Sequence, residues 1–384
     1  MPMTRITGPD CISPGLSLGS LVRRDARGGV PALFADRRVS YSFNTRVAIR
    51  HACDLLGLKP GCEVLVPAYN CGSELDPLLD AGLRLRLYPV DRQGQIDLAQ
   101  MAGLITPQTR AIYLTHYFGF QHACAAALRQ LCDERGLWLI EDCALSMLSG
   151  PGPAEGRAGH IAVFCFYKLF PVLGGGALVL NTEKITQTAV FPNTAPRKLV
   201  LKALVRAALN MGPGRAGLAI LRKLRPRKPA ALATRSVYPD MPADYYFDPA
   251  LKDAGISRVT ARAIGSFDVA GAIAVRRANY HDYQTHLMGL PGVTLLYPSL
   301  PEHICPLYMP ILVQDRDALS AALTAQGISA PPWWAGFNQA IDFADFPDAC
   351  YLKNHVLALP LHQNMGPAHI RYVVAQLKAL MGLE

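Results

Sequence analysis

Two apolar runs end on charged side chains that a strand terminus rarely carries. Ile161-Ala-Val-Phe-Cys-Phe-Tyr-Lys168 closes on a lysine, and Leu137-Trp-Leu-Ile-Glu-Asp142 closes on two acids. Gly174-Gly175-Gly176 follows the lysine, a sequence that lets backbone approach closely. Desolvation at such a position favours the neutral amine of a lysine. A neutral amine can attack an aldehyde to form a Schiff base. A carboxylate at the end of a neighbouring strand can keep a pyridine nitrogen protonated, so that the ring serves as an electron sink. Pyridoxal 5′-phosphate needs both groups. From the residues alone, a buried Lys168–Asp142 pair of purely structural purpose accounts for the same pattern.

The elements that must position these groups follow from periodicity. Apolar, β-rich runs occur at 63–66, 83–90, 111–116, 137–141, 161–166 and 177–180. Helical spacing predicts a helix over 45–56, with Ile49, Ala52, Cys53 and Leu56 inside, and another over 123–135 that stops at Gly136. Such alternation implies an α/β fold with a mostly parallel central sheet covered by helices on both faces. Ligands in these sheets bind beyond the carboxyl ends of the strands. Further on, 258–288 reads as one long helix, 293–297 and 308–313 as strands, and 317–326 and 368–381 as helices, which together suggest a smaller C-terminal α+β domain. The expected division is 1–190 for the large domain, 191–245 for a basic insertion and 246–384 for the small domain.

A wider set of motifs surrounds the two strand ends. They are Gly61-Cys-Glu-Val-Leu-Val-Pro-Ala-Tyr-Asn-Cys71, Asp80-Ala-Gly82, Tyr88-Pro-Val-Asp91, the stretch Ile105–Gly119, Ile140-Glu-Asp-Cys-Ala144 and the stretch Gly156–Lys168. In the C-terminal part they are Arg316-Asp-Ala-Leu319, Gly327-Ile-Ser329 and Leu357-Ala-Leu-Pro-Leu-His362. Together they resemble the DegT-type (DegT/DnrJ/StrS) sugar aminotransferase family over about residues 40–185 and 255–384, in a divergent branch. The resemblance implies the pyridoxal-phosphate-dependent transferase fold type I. It makes Lys168 the Schiff-base lysine and proton shuttle, and Asp142 the partner of the pyridinium nitrogen. The phosphate would fall at Thr45-Arg46, where a helix N-terminus favours an anion and Arg46 adds a charged donor.

The chain departs from that family at several positions. Cys165 stands where a phosphate-binding serine is usual, and Cys71 where an aromatic side chain stacks on the ring, with Tyr69 the alternative stacker. Leu145 replaces a Gln or His, and of an Asn-Tyr-Arg motif supplied by a neighbouring subunit only Arg258 is found nearby. His116 and His362 read as packed histidines. Trp333-Trp334 reads equally as the cover of a sugar or nucleobase and as core. Tyr167 needs a local twist to reach the cofactor.

Composition bounds the alternatives. Of 384 residues, 51% are hydrophobic and 17% charged, a globular balance. No uncharged apolar run is long enough to cross a membrane, and the first residues lack the apolar stretch of a secretory leader. Ten cysteines include no Cys-x-x-Cys pair, so neither a zinc or other metal site nor a disulfide framework is expected, and a reducing cytoplasm is. The net charge is +9, yet 197–235 holds eleven Lys and Arg with no acid, which leaves −2 elsewhere. A nearly neutral body does not suit a nucleic-acid binder. The basic segment, with Leu201, Leu204, Val205 and Ala208 at helical spacing, reads as a solvated insertion, a site for an anionic substrate tail, or a peripheral membrane contact. The expected activity is transfer of an amino group from glutamate to a keto-sugar, nucleotide-linked, in polysaccharide, glycoconjugate or secondary-metabolite biosynthesis, by a homodimer. The alternatives are a pyridoxal-phosphate enzyme acting on another carbonyl or a lipid-linked substrate, and a non-catalytic relative.

Overall fold

The computed structural model describes residues 29–150, 155–172, 174–209, 240–242 and 245–383. In chain order the large body holds β1 (Arg38–Ser42), α1 (Thr45–Leu55), β2 (Glu63–Pro67), α2 (Leu75–Asp80), β3 (Arg84–Tyr88), α3 (Leu98–Gly103), β4 (Thr109–Thr115), α4 (Ala125–Arg135), β5 (Trp138–Asp142), β6 (Ile161–Cys165) and β7 (Gly176–Leu180). The seven strands lie in the order β1-β7-β6-β5-β4-β2-β3. Pairs from β3 through β6 are parallel, and β7 runs antiparallel to both β6 and β1. All five residues of β6 are buried, as are all five of β7. That is why these strands read as continuous apolar runs rather than alternating ones.

Local chemistry sets the helix ends. Asn44 caps α1, its side-chain oxygen accepting from Val47 N–H at 3.0 Å. Ala48, Ile49, Ala52 and Cys53 face the core, joined by Leu56 just past the helix end. Gly136 ends α4 in the left-handed conformation, φ 64°, which costs glycine little.

The remaining elements are α5 (Arg197–Leu209), α6 (Arg258–Gly265), α7 (Val269–Leu287), β8 (Thr294–Leu295), β9 (Met309–Leu312), α8 (Arg316–Ala325), α9 (Pro347–His355), β10 (Val356–Leu359) and α10 (Pro367–Leu380). A three-stranded antiparallel sheet, β10-β9-β8, packs on α7, α8 and α10 as the predicted α+β unit. One expectation is corrected. The long helix over 258–288 is two helices, because Ser257 caps the first through Thr260 N–H and Asp268 caps the second through Gly271 N–H. The remainder of the basic segment, 210–239, lies outside the described residues.

The glycine run does what its composition suggested. A Cβ on Gly176 would lie 2.8 Å from both the Phe164 carbonyl oxygen and the Thr45 nitrogen. The absent side chain thus lets β7 and β6 pack against the first turn of α1. Gly176→Ala is expected to lose about 1–3 kcal/mol of stability, the usual cost of overpacking, measured as a lower midpoint in urea at unchanged m-value.

Candidate active site

The carboxyl ends of β5 and β6 meet the N-terminus of α1 around a cavity. Thr45, Arg46, Cys71, Asp142, Cys165 and Lys168 all line it, together with Asn44, Ser73, Glu74, Thr115, Ala144, Leu145, Tyr167 and Trp334. Lys168, Asp142, Thr45, Arg46, Cys71 and Cys165 are therefore in one place, while Tyr69 and Arg258 do not line the cavity. β6 stops at Cys165 and residues 167–169 turn, with Leu169 and Phe170 N–H both bonding the Phe166 carbonyl. That turn is the local twist Tyr167 needed, and Tyr167 and Lys168 both reach the cavity.

Asp142 is 5% exposed. Its Oδ2 accepts from the Tyr113 hydroxyl at 2.8 Å and its Oδ1 from Ala144 N–H at 2.8 Å. Burial pushes its pKa up, while Lys168 and these donors pull the other way. Glu74 is a second buried acid that sequence reading missed. Its Oε1 accepts from Cys71 N–H at 2.9 Å, and burial followed by Asp142 raises its carboxyl. Nothing in the chain's local pattern singled it out, since the helix that follows it is short and unpredicted.

Lys168 corrects an expectation. Burial does lower its pKa, but Tyr167, Cys165, Cys71 and Asp142 crowd around it and the net shift is upward. The net direction is opposite to the one that desolvation alone would give. Burial raises the Cys71 and Cys165 thiols, so neither is a thiolate nucleophile at neutral pH. Tyr69 is also corrected. It is fully buried and does not line the cavity, and its ring packs 5.0 Å from Trp334 and 5.3 Å from Tyr117.

The donor set fits pyridoxal phosphate. Thr45 spends its hydroxyl on the Phe164 carbonyl, 2.9 Å away. The first-turn N–H groups of α1 have no carbonyl partner inside the helix, and with Arg46 they could hold an anion. Asp142 could face a ring nitrogen. Thr115 presents a buried hydroxyl without a partner to the same cavity. A second cavity shares Tyr167 and Lys168 and extends to Arg276, Ser329, Trp333 and His362.

Behind the site lies a buried histidine network. His116 N–H bonds the Asp142 carbonyl at 3.2 Å, and His116 Nε2 lies 3.0 Å from Glu141 and 3.1 Å from Glu155. Donor atoms of His116, Cys143 and Glu155 fall within 4.8 Å of one another. His116 Nδ1 accepts from His122 N–H at 3.1 Å, so Nε2 carries the proton and points it at the carboxylates.

Comparison with known proteins adds to this geometry. The profile of the DegT/DnrJ/EryC1/StrS aminotransferase family matches residues 39–198 and 267–378. The chain is 31% identical over 147 residues to GDP-perosamine synthase of Vibrio cholerae, a match covering 37% of this chain and 40% of that protein. It is 26% identical over 329 residues to dTDP-4-dehydro-2,3,6-trideoxy-D-glucose 4-aminotransferase of Saccharopolyspora spinosa, covering 83% and 78%. Two solved structures share the fold. DesV of S. venezuelae has TM-score 0.62 at 20% identity, covering 91% of this chain and 87% of that one. GDP-4-keto-6-deoxy-D-mannose-3-dehydratase of E. coli with bound hydrated PLP has TM-score 0.66 at 18% identity, covering 90% and 89%.

His122 gives the network a pH signature. Burial holds its pKa down to about 3, from 6.5, and its Nε2 donates to the Thr115 carbonyl at 2.9 Å. The unfolded chain binds a proton there between those values and the folded chain does not, so stability falls as pH drops from about 6.5 toward 3. In urea titrations over that range, His122→Asn is expected to lose stability less steeply with acid than the wild type, by about one proton.

Proposed function

The chain belongs to the DegT/DnrJ/EryC1/StrS aminotransferase family, and from that premise we propose that it is a pyridoxal-phosphate-dependent aminotransferase moving an amino group from glutamate to a nucleotide-linked keto-sugar. The observation that carries this is the meeting of Lys168 and Asp142 in one cavity at the carboxyl ends of adjacent strands. Relatives named for GDP- and dTDP-sugar chemistry support the acceptor class. Lys168 supports the catalytic reading over a non-catalytic relative because it stands with Asp142 in a cavity of a chain whose family is named for aminotransferases.

When bound, the cofactor supplies an aldehyde for amine exchange and a protonated ring that takes up electrons. The first turn of α1 and Arg46 would hold its phosphate. Asp142, oriented by Tyr113 and Ala144, would keep the ring nitrogen protonated. Lys168 would be the amine that meets the aldehyde and the group that moves a proton at Nζ. Tyr167 and Lys168 border both cavities, so the second cavity is the place for the donor and then the sugar. Arg276 lines it, fully buried, its guanidinium bonding the Pro306 and Leu307 carbonyls and Gln363. It gives the cavity a positive potential suited to carboxylate and phosphate groups.

A homodimer in the cytoplasm is part of the proposal. All nine described cysteines are free, and among the described residues no helix is long and apolar enough to cross a membrane. A peripheral membrane contact is proposed for α5, where Leu201 is 63% exposed and Val205 on the same face is also exposed, next to Arg197 and Lys198. An apolar face flanked by cations suits an anionic interface.

Purified protein mixed with pyridoxal phosphate is expected to develop an absorption band near the visible edge that bleaches with glutamate. Lys168→Ala removes the band. Asp142→Asn keeps binding but slows the bleaching by roughly 10²-fold or more. A band that no amino donor bleaches would sink the aminotransferase reading. For α5, co-sedimentation with vesicles is expected only when they contain anionic lipid, and it should be lost in high salt. Equal pelleting with neutral vesicles, or none with either, would dispose of the membrane contact.

A further inference from the structure

The cofactor cavity lacks an aromatic side chain at position 71, where Cys71 lines the wall instead. An aromatic ring reaches the cavity from a different part of the chain. Trp334 lies in the segment after α8, some 260 residues further along. Pro331 and Trp333 are fixed to the edge of β10 through Ala358 N–H on the Pro331 carbonyl, 3.0 Å, and Trp333 N–H on the Val356 carbonyl, 2.9 Å. The backbone then turns at Trp334 into the left-handed region, φ 54°. A bulky residue adopts this only where its surroundings enforce it.

Those surroundings are specific. Lys353, on α9 and 1% exposed, donates from Nζ to the Trp334 carbonyl at 3.2 Å, the Gly336 carbonyl at 3.0 Å and the Asn70 carbonyl at 2.7 Å. Its ammonium also lies over the Phe337 ring, 5.1 Å from the centroid, and the Phe343 ring, 5.4 Å. One cation thus ties the loop carrying Cys71 to the turn carrying Trp334. It spends all three donors on carbonyls and has no acid among its hydrogen-bond partners. On the far side, Tyr69 and Tyr117 back the indole at 5.0 and 5.6 Å, and the Tyr117 hydroxyl bonds the Tyr69 carbonyl at 2.8 Å. The ring is held by aromatic neighbours and at its backbone by the lysine, and Trp334 borders the cavity.

We propose that Trp334 is the aromatic wall against which the cofactor ring packs, in place of the side chain missing at Cys71, and that Lys353 is the positioning residue that holds it there. This rests on the reading of the cavity as a pyridoxal-phosphate site. Trp333, stacked on Trp334 at 5.9 Å, serves the second cavity instead.

The test uses the full chain and pyridoxal phosphate itself. Trp138, Trp333 and Trp334 are the three tryptophans of the sequence. In a protein carrying Trp138→Phe and Trp333→Phe, emission from Trp334 is expected to fall to near background on saturation with the cofactor. A protein that retains only Trp138 should keep most of its emission. By equilibrium dialysis, Trp334→Ala is expected to weaken cofactor binding roughly 3- to 10-fold, as for loss of one aromatic pair, and Trp334→Phe to stay within about twofold of wild type. Lys353→Met should weaken binding too, but add nothing to Trp334→Ala in the double variant, which separates positioning of Trp334 from a general loss of stability.

If the wild type forms no Lys168-dependent band, the functional reading fails and this inference with it. If the band forms but Trp334 emission does not change and Trp334→Ala binds as tightly as wild type, the wall is overturned while the function stands. Should Trp334→Ala not fold, the single-tryptophan emission decides alone.

Discussion

Parallel pairing of β5 with β6 brings a carboxylate and an amine to the same edge of a sheet. The register sets Ile140 beside Ile161 and Asp142 beside Val163. Two residues further, β6 ends and the chain turns, so that Lys168 comes back over the strand ends. In a sheet a slip of one residue sends every side chain to the opposite face. Asp142 would then leave the cavity, and Glu141, which now reaches back to His116 and Gly159 N–H, would take its place. The alternation of the two acids is thus a structural and a chemical assignment at once. One points to the ligand and the other anchors the wall behind it.

The glycines and the buried network serve that register. Gly175 and Gly176 allow the return strand β7 and helix α6 to close on β6: a Cβ on Gly175 would meet Thr260 and Phe166 at 2.8 and 2.9 Å. β7 in turn holds β6 along its whole length, from Ile161 beside Leu180 to Cys165 beside Gly176. With one edge of β6 fixed by β7 and the other by β5, the turn at 167–169 has little freedom, and the amine at its centre is pre-positioned rather than recruited.

The large sheet and most of this site were legible in the chain because the information is local. Strand β6 is apolar at every position, the lysine follows it within three residues, and the glycine stop at Gly136 is a short-range signal. The break at 266–268 was not legible, because helical spacing continues across it and only the Asp268 cap marks the restart. The charge on Lys168 was misjudged for another reason. Desolvation can be read from an apolar run, but Asp142 comes from the neighbouring strand β5 and Cys71 from the loop after β2. Lys353 and Glu74 escaped for the same cause, whereas Trp334 was singled out as a possible cover of the site and lines the cavity. Lys353 is 185 residues from Lys168 in the chain, and its partner carbonyls carry no side-chain signature at all.

Charge balance bears on what the cavity can take. It carries two buried acids, Asp142 and Glu74, against the Lys168 ammonium, Arg46 and the first turn of α1. A purely cationic ligand would leave the helix terminus and Arg46 unused. A purely anionic one would have to sit beside two carboxylates whose pKa values are already raised by burial and, for Glu74, by its neighbour Asp142. A ligand with an anion on one side and a proton-bearing ring nitrogen on the other satisfies both sets at once. When the lysine's nitrogen bonds to such a ligand, its charge can leave as a proton, and the ring's positive charge remains to partner Asp142. The upward shift at Lys168 is therefore compatible with a nucleophilic role. The carboxylate that now stabilises the ammonium is the group that would receive the ring, so the ligand's arrival removes part of what holds the lysine protonated.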